Sequence, residues 1–160
     1  MGEPVALPQR LTVMLAALWW GGLTALAFVA VPMLFARLGS PAVAGPVAAA
    51  LFAVIAKVSL VAGLTCGFFL MRKVPFLQSK KTLAAIVLCI LAVLAATVQD
   101  TWVAQQIVTA RASGGNLKFW HGLGTGLVFL QWLAAGWTLC VLASPNLTSH
   151  SARSGQQALV

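Results

Sequence analysis

The chain has 160 residues, of which 61% are hydrophobic and 8% are charged, and its mean hydropathy is +0.96. Soluble domains carry roughly 25% charged residues, so this composition excludes an ordinary water-soluble protein. The formal net charge of +8 at first suggests nucleic-acid binding. Because the basic residues lie mainly between long apolar segments, we expect the chain to reside in a lipid bilayer and to bind no nucleic acid.

Four long apolar segments follow one another, over about residues 11–36, 46–71, 83–108 and 118–143. Each contains about 26 residues and forms a helix of about 39 Å, which is sufficient to cross a hydrocarbon core of ~30 Å. Stretches rich in Gly, Pro, Ser and basic residues predict short loops at 37–45, 72–81 and 109–117. The sequence therefore predicts an all-α four-helix transmembrane bundle as a single domain over residues 1–143, followed by a polar tail over 144–160.

The basic residues predict the orientation of this bundle. With four spans, both termini and the middle loop share one side of the membrane. That side carries Arg10, Arg72, Lys73, Lys80, Lys81 and Arg153, whereas the other side carries Arg37, Arg111 and Lys118. Cytoplasmic segments are the richer in Lys and Arg. We therefore expect an N-in and C-in protein with a cytoplasmic tail, crossing the inner membrane of a bacterium.

Glycines mark the predicted contacts between helices, because small residues let helix backbones approach closely in lipid. We expect such contacts at Gly21 in the first span and at Gly63 and Gly67 in the second. In the fourth span, Gly122 and Gly126 have the GxxxG spacing. These residues are interpreted as packing positions only.

Lys57 lies in the middle of the second span, about 12 residues or 18 Å from either end. Its side chain reaches roughly 6 Å, and a central Lys costs on the order of 2.5–3.5 kcal/mol of membrane insertion. The acid within the spans is Asp100, in the antiparallel third span, at an axial offset of about 5–6 Å. We predict that Lys57 pairs with Asp100, directly or through water. The alternative is a buried ion pair that fixes helix register and has no other role.

Further polar residues lie at comparable or shallower depth on the outer side, namely Gln99, Gln106 and His121. Together with the predicted ion pair they indicate a polar pocket that opens outward. Pro32 removes a backbone hydrogen bond from the first span, which predicts a kink that opens this pocket. For His121 alone, a side chain that faces lipid headgroups is the alternative.

The sequence gives no support for a metal site, a cofactor or a catalytic centre. Cys66, Cys89 and Cys140 are soft ligands that suit Cu(I), but their spacing matches no metal motif, and free Cys is also an ordinary small apolar residue. The chain contains no GxxxxGK, HExxH or GxSxG motif. We therefore expect no bound metal or cofactor and no enzymatic activity.

Two stretches carry a resemblance to a known family. Residues 18–52 contain a Trp-Gly pair followed by Pro and Phe, and residues 117–133 open with an aromatic-His-Gly step. They resemble the transmembrane protein 205-like family, also described as domain of unknown function 4149. The resemblance implies a small four-helix integral membrane protein without an established activity. The matching positions are Trp20, Gly21, Pro32, Phe35, Phe52 and His121, and the family assigns no catalytic role to them.

A second resemblance is to small four-helix haem-pathway oxidases and copper-resistance membrane domains, which use His residues within the membrane as ligands. The first span of this chain contains no His, and His121 is the His within the predicted spans. Three hypotheses therefore remain. The first is binding or permeation of a small solute, ion or soft metal through the pocket. The second is an accessory subunit that packs against a second copy or another membrane protein, and the third is a haem- or copper-linked redox protein.

Overall fold

The computed structural model describes residues 7–73 and 80–144, which form helices and short connections without any strand. Four helices are long and apolar enough to cross a membrane. They are α1 (Leu7–Leu38), α2 (Pro41–Lys73), α3 (Lys80–Ser113) and α4 (Leu117–Leu142). The predicted four-helix transmembrane bundle is confirmed. The orientation with both termini inside stays a prediction.

The two connections at one end of the bundle are shorter than predicted. Gly39 has a φ of 62° and ends α1, and Gly114 has a φ of 71° and ends α3. Gly adopts this left-handed conformation without steric cost, so each helix can stop within a residue. The predicted loops at 37–45 and 109–117 are therefore too long, since α2 begins at Pro41, where a first-turn proline is tolerated. Most of the predicted loop 72–81 and of the tail lies outside the described residues.

Each helix packs against the next, and α4 returns to pack against α1. Side-chain hydrogen bonds reinforce three of these four contacts. Trp19 Nε1 donates to Ser59 Oγ at 2.9 Å between α1 and α2, and Trp132 Nε1 donates to Thr24 Oγ1 at 2.9 Å between α4 and α1. Between α3 and α4, Cys89 Sγ lies 3.3 Å from the hydroxyl of Thr138.

Glycines provide the close approach of α2 to α3. Gly63 and Gly67 are buried, and a Cβ built on Gly63 would lie 2.8 Å from Val93 Cγ2. A Cβ on Gly67 would lie 3.4 Å from Cys89 Cβ. A larger residue at position 63 would therefore require Val93 to shift.

The other predicted packing glycines do not lie at helix contacts. Gly21, Gly122 and Gly126 are exposed, and a Cβ built on any of them meets nothing within 4 Å. This prediction is wrong because glycine spacing does not reveal which face of a helix turns inward. In α4 two other glycines lie at helix contacts: Gly124 is buried against Val103 of α3, and a Cβ built on Gly136 would lie 2.9 Å from Trp20 Nε1 of α1.

Two segments depart from α-helical geometry to π-helix. Ala25–Ala30 interrupts α1, and Gln99–Val103 interrupts α3. The first ends just before Pro32, and Val31 N–H bonds to Leu26 O, one residue further back than in an α-helix. Pro32 has no backbone N–H and therefore donates no hydrogen bond to the preceding turn. That turn can widen from α-helical to π-helical geometry without the loss of another backbone hydrogen bond. The irregularity expected at Pro32 therefore lies mainly in the turn before it.

Candidate functional site

A cavity of about 680 Å³ occupies the end of the bundle that carries the connections at 39–40 and 114–116. All four helices contribute to its walls. Most lining residues are apolar and small, and the apolar wall residues include Ala27, Phe35, Ala49, Phe52 and Val128. The volume lies within the ~300–1,000 Å³ typical of pockets for small ligands. At the opposite end, a cluster of buried residues around Trp19, Leu70 and Ala134 fills the bundle.

The polar lining residues are arranged by depth. Asp100 lies about 20 Å along α3 from the end of that helix at Ser113, and Gln99 precedes it. His121 lies only about 6 Å into α4 from Leu117, and Arg111 is in the last turn of α3. The cavity therefore has a carboxylate at its deep end and basic groups at its rim.

Asp100 belongs to the π-helical segment Gln99–Val103, and both π-helical segments border the cavity. Single π-helical turns occur often at functional sites, where they alter the direction of side chains. Asp100 is half-buried, and the structure shows no ion pair to it within the described ranges. A partly buried carboxylate without an ion pair to the described residues favours binding of a cation from elsewhere.

A buried amide pair holds the deep end of the cavity in place. Gln131 Nε2 donates to Gln99 Oε1 at 3.0 Å and also contacts Leu127 O at 3.2 Å. Gln131 is 1% exposed, and its Oε1 is a buried acceptor without a partner in the described part of the chain. The pair joins α3 to α4 next to Asp100. Gln131 was not predicted, although an amide deep in an apolar span is a detectable signal.

The side chain of Arg111 in α3 extends to the backbone of α2 at the rim of the cavity. A Cβ built on Gly45 would lie 2.5 Å from one terminal guanidinium nitrogen of Arg111 and 2.8 Å from the other. Gly45 therefore leaves the space in which this guanidinium rests against the backbone of α2. The sequence suggested that Arg111 belongs to a loop, but it is helical and lines the cavity.

The predicted pair between Lys57 and Asp100 is wrong. Lys57 is exposed on the outer face of α2 and does not line the cavity that contains Asp100. The prediction compared only the depths of the two residues along their helices. The two residues are separated because their side chains point in different directions around their helix axes. Ala56 is buried, and the next residue, Lys57, is rotated from it by about 100° around α2.

The remaining predicted pocket residues divide into two groups. Gln99, Asp100 and His121 line the cavity together, whereas Gln106 does not. None of the three cysteines lines it, and Cys66 and Cys89 are buried elsewhere in the bundle. Within residues 7–73 and 80–144, no three His, Cys, Asp or Glu side chains are close enough to hold a metal ion.

Four helices that are long and apolar enough to cross a membrane define a multi-span helical membrane protein. A family model described as domain of unknown function (DUF4149) matches residues 14–116. The chain therefore belongs to the DUF4149 family. No curated protein and no solved structure matches the chain. The family match ends before α4, so His121 lies outside it, and the narrower resemblance to transmembrane protein 205 stays a prediction.

Proposed function

We propose that the chain is a non-catalytic binding protein of the bacterial inner membrane. Its ligand is a small, mainly apolar molecule that carries a positively charged group. The apolar body of the ligand occupies the cavity between the four helices, and its cationic group lies against Asp100. With both termini in the cytoplasm, the cavity opens to the outside of the cell.

One observation carries this proposal. Asp100 is the carboxylate within the described residues, and it lies half-buried at the deep end of a largely apolar cavity without an ion pair to any of those residues. A charged hydrogen bond to such a group contributes about 1.5–3 kcal/mol. The apolar walls add affinity for the body of the ligand, because apolar surface is removed from water.

Binding is better supported than permeation. Beyond Asp100 the bundle is filled by side chains that include the fully buried Trp19, Leu23 and Leu70. A solute that crossed the membrane through this path would have to displace them. The first hypothesis also included a soft metal as the ligand. The cavity offers no sulfur donors for such a metal, since its lining includes neither Cys nor Met.

The proposal is tested with rhodamine 6G, a fluorescent apolar cation, and the full chain purified in detergent. Binding is measured by fluorescence polarisation for the parent, for Asp100→Asn and for Gln105→Asn. Gln105 is exposed on the same helix and lies outside the cavity lining, so it is the matched control. We expect Asp100→Asn to weaken binding by about tenfold or more and Gln105→Asn to leave it unchanged. Equal binding by all three proteins would contradict the proposal.

A further inference from the structure

Lys57 lies on a face of α2 that no part of the described chain covers. Val54, Val61, Leu64 and Phe68 share this face, and each is about 61–62% exposed. By the helical rotation of about 100° per residue, these four side chains and Lys57 fall within one stripe about 80° wide. Within the stripe the ammonium group of Lys57, the second of the five residues along the helix, is surrounded by apolar side chains.

The depth of Lys57 makes this arrangement unfavourable in lipid alone. It lies about 24 Å along α2 from either end of the helix, Pro41 or Lys73. A Lys side chain extends roughly 6 Å, which is short of the membrane surface. Charged residues within a membrane almost always pair or face a polar interior. The structure shows no ion pair to Lys57 from the described residues.

We infer that this face of α2 is an interface with a transmembrane helix of a different protein, which carries an Asp or Glu at mid-depth opposite Lys57. The attraction between ammonium and carboxylate is the charge complementarity that selects this partner. At the end of the same stripe, Arg72 lies over the Phe68 ring with 5.2 Å between the guanidinium carbon and the ring centroid. The face is therefore basic at the membrane surface also.

A second copy of the chain does not meet this requirement. Symmetric pairing through the same face places one Lys57 opposite the other, and like charges repel. Asp100 is the carboxylate in the described residues, and it lines the cavity instead of the outer face. This inference does not depend on the cavity ligand, and either proposal can fail alone.

The test uses photo-crosslinking in intact membranes of the source cells. A photoreactive amino acid replaces Val61, one turn from Lys57, and Ile90 of α3 serves as the control because its side chain is 54% exposed. We expect Val61 to crosslink to one protein, identified by mass spectrometry, whose crosslinked helix contains Asp or Glu within the span. Lys57→Arg should retain the crosslink, and Lys57→Glu should lower its yield about tenfold.

Replacement of the partner's carboxylate by Lys should then restore the crosslink to Lys57→Glu. If Lys57→Glu fails to insert, Lys57→Met replaces it, and the crosslink should weaken while the amount in the membrane does not fall. The inference is overturned by crosslinks to a second copy, by crosslinks to lipid alone, or by a yield that neither Lys57→Glu nor Lys57→Met changes. A partner helix without an acid would also overturn it.

Discussion

Gln131 donates a hydrogen bond of 3.0 Å to Gln99, and this bond joins α4 to the π-helical segment of α3 directly beside Asp100. Both amides are buried, and Gln99 also lines the cavity. The pair therefore fixes the position of the segment that presents the carboxylate. The stability of the bundle and the geometry of the proposed binding site therefore depend on the same contact.

The amide pair should show a measurable coupling energy. We expect Gln131→Leu and Gln99→Leu each to lower the free energy of unfolding by about 1 kcal/mol, because each leaves one amide without its partner. The double variant should lose less than the sum, with a coupling of about 0.5–1.5 kcal/mol. Unfolding in mixed detergent micelles measures these values. Strict additivity would show that the bond contributes nothing.

The contact of α2 with α3 should be sensitive to one methyl group. Gly63→Ala places a Cβ 2.8 Å from Val93 Cγ2, so we expect a loss of about 1–3 kcal/mol in the free energy of unfolding. Gly122→Ala is the matched control, because a Cβ there meets nothing within 4 Å. The double variant Gly63→Ala/Val93→Ala should recover part of the loss. A Gly63→Ala protein as stable as the Gly122→Ala protein would rule out this contact.

The guanidinium of Arg111 at the rim should oppose binding of a cation. We expect Arg111→Gln to tighten the binding of rhodamine 6G by about two- to fivefold at low salt, with a smaller effect at high salt, because surface charges are screened. Lys118→Gln removes an equal charge from an exposed residue outside the cavity lining. If both variants bind alike, the effect reflects net charge and not the position of Arg111.

The orientation of the bundle decides which compartment the cavity faces. Exposed Cys140 is first replaced by Ala, and Cys is then introduced at Ser113 or at Ser144, which lie at opposite ends of the bundle. We expect a membrane-impermeant maleimide to label Ser113→Cys in intact cells and Ser144→Cys only after permeabilisation. The reverse pattern would place the cavity opening on the cytoplasmic side and would invert the predicted topology.

The helices could be predicted from the sequence because lipid forces each spanning segment to satisfy its own backbone hydrogen bonds. An apolar segment that is long enough to span the bilayer alone therefore forms an α-helix. The lengths of the loops were less predictable. The composition is also compatible with helices that end earlier, whereas the observed ends are at the single glycines 39 and 114.

The candidate site was predictable only in part. Gln99, Asp100 and His121 line one cavity, and their depths could be predicted because depth along antiparallel helices follows from counting residues. The outward direction of Lys57 was missed, because depth does not determine the direction around a helix axis. The π-helical segments at Ala25–Ala30 and Gln99–Val103 have no signature in composition, since they depend on a shift of one residue in the hydrogen-bond pattern.

The central claim is that Asp100 selects ligands by the sign of their charge. The most direct measurement compares tetraphenylphosphonium with tetraphenylborate, two apolar ions of similar shape and opposite charge, by calorimetric titration of the purified protein. We predict that the parent binds the cation at least tenfold more tightly than the anion and that Asp100→Asn removes this preference. Equal affinities in the parent, or a preference for the cation that persists in Asp100→Asn, would contradict the account.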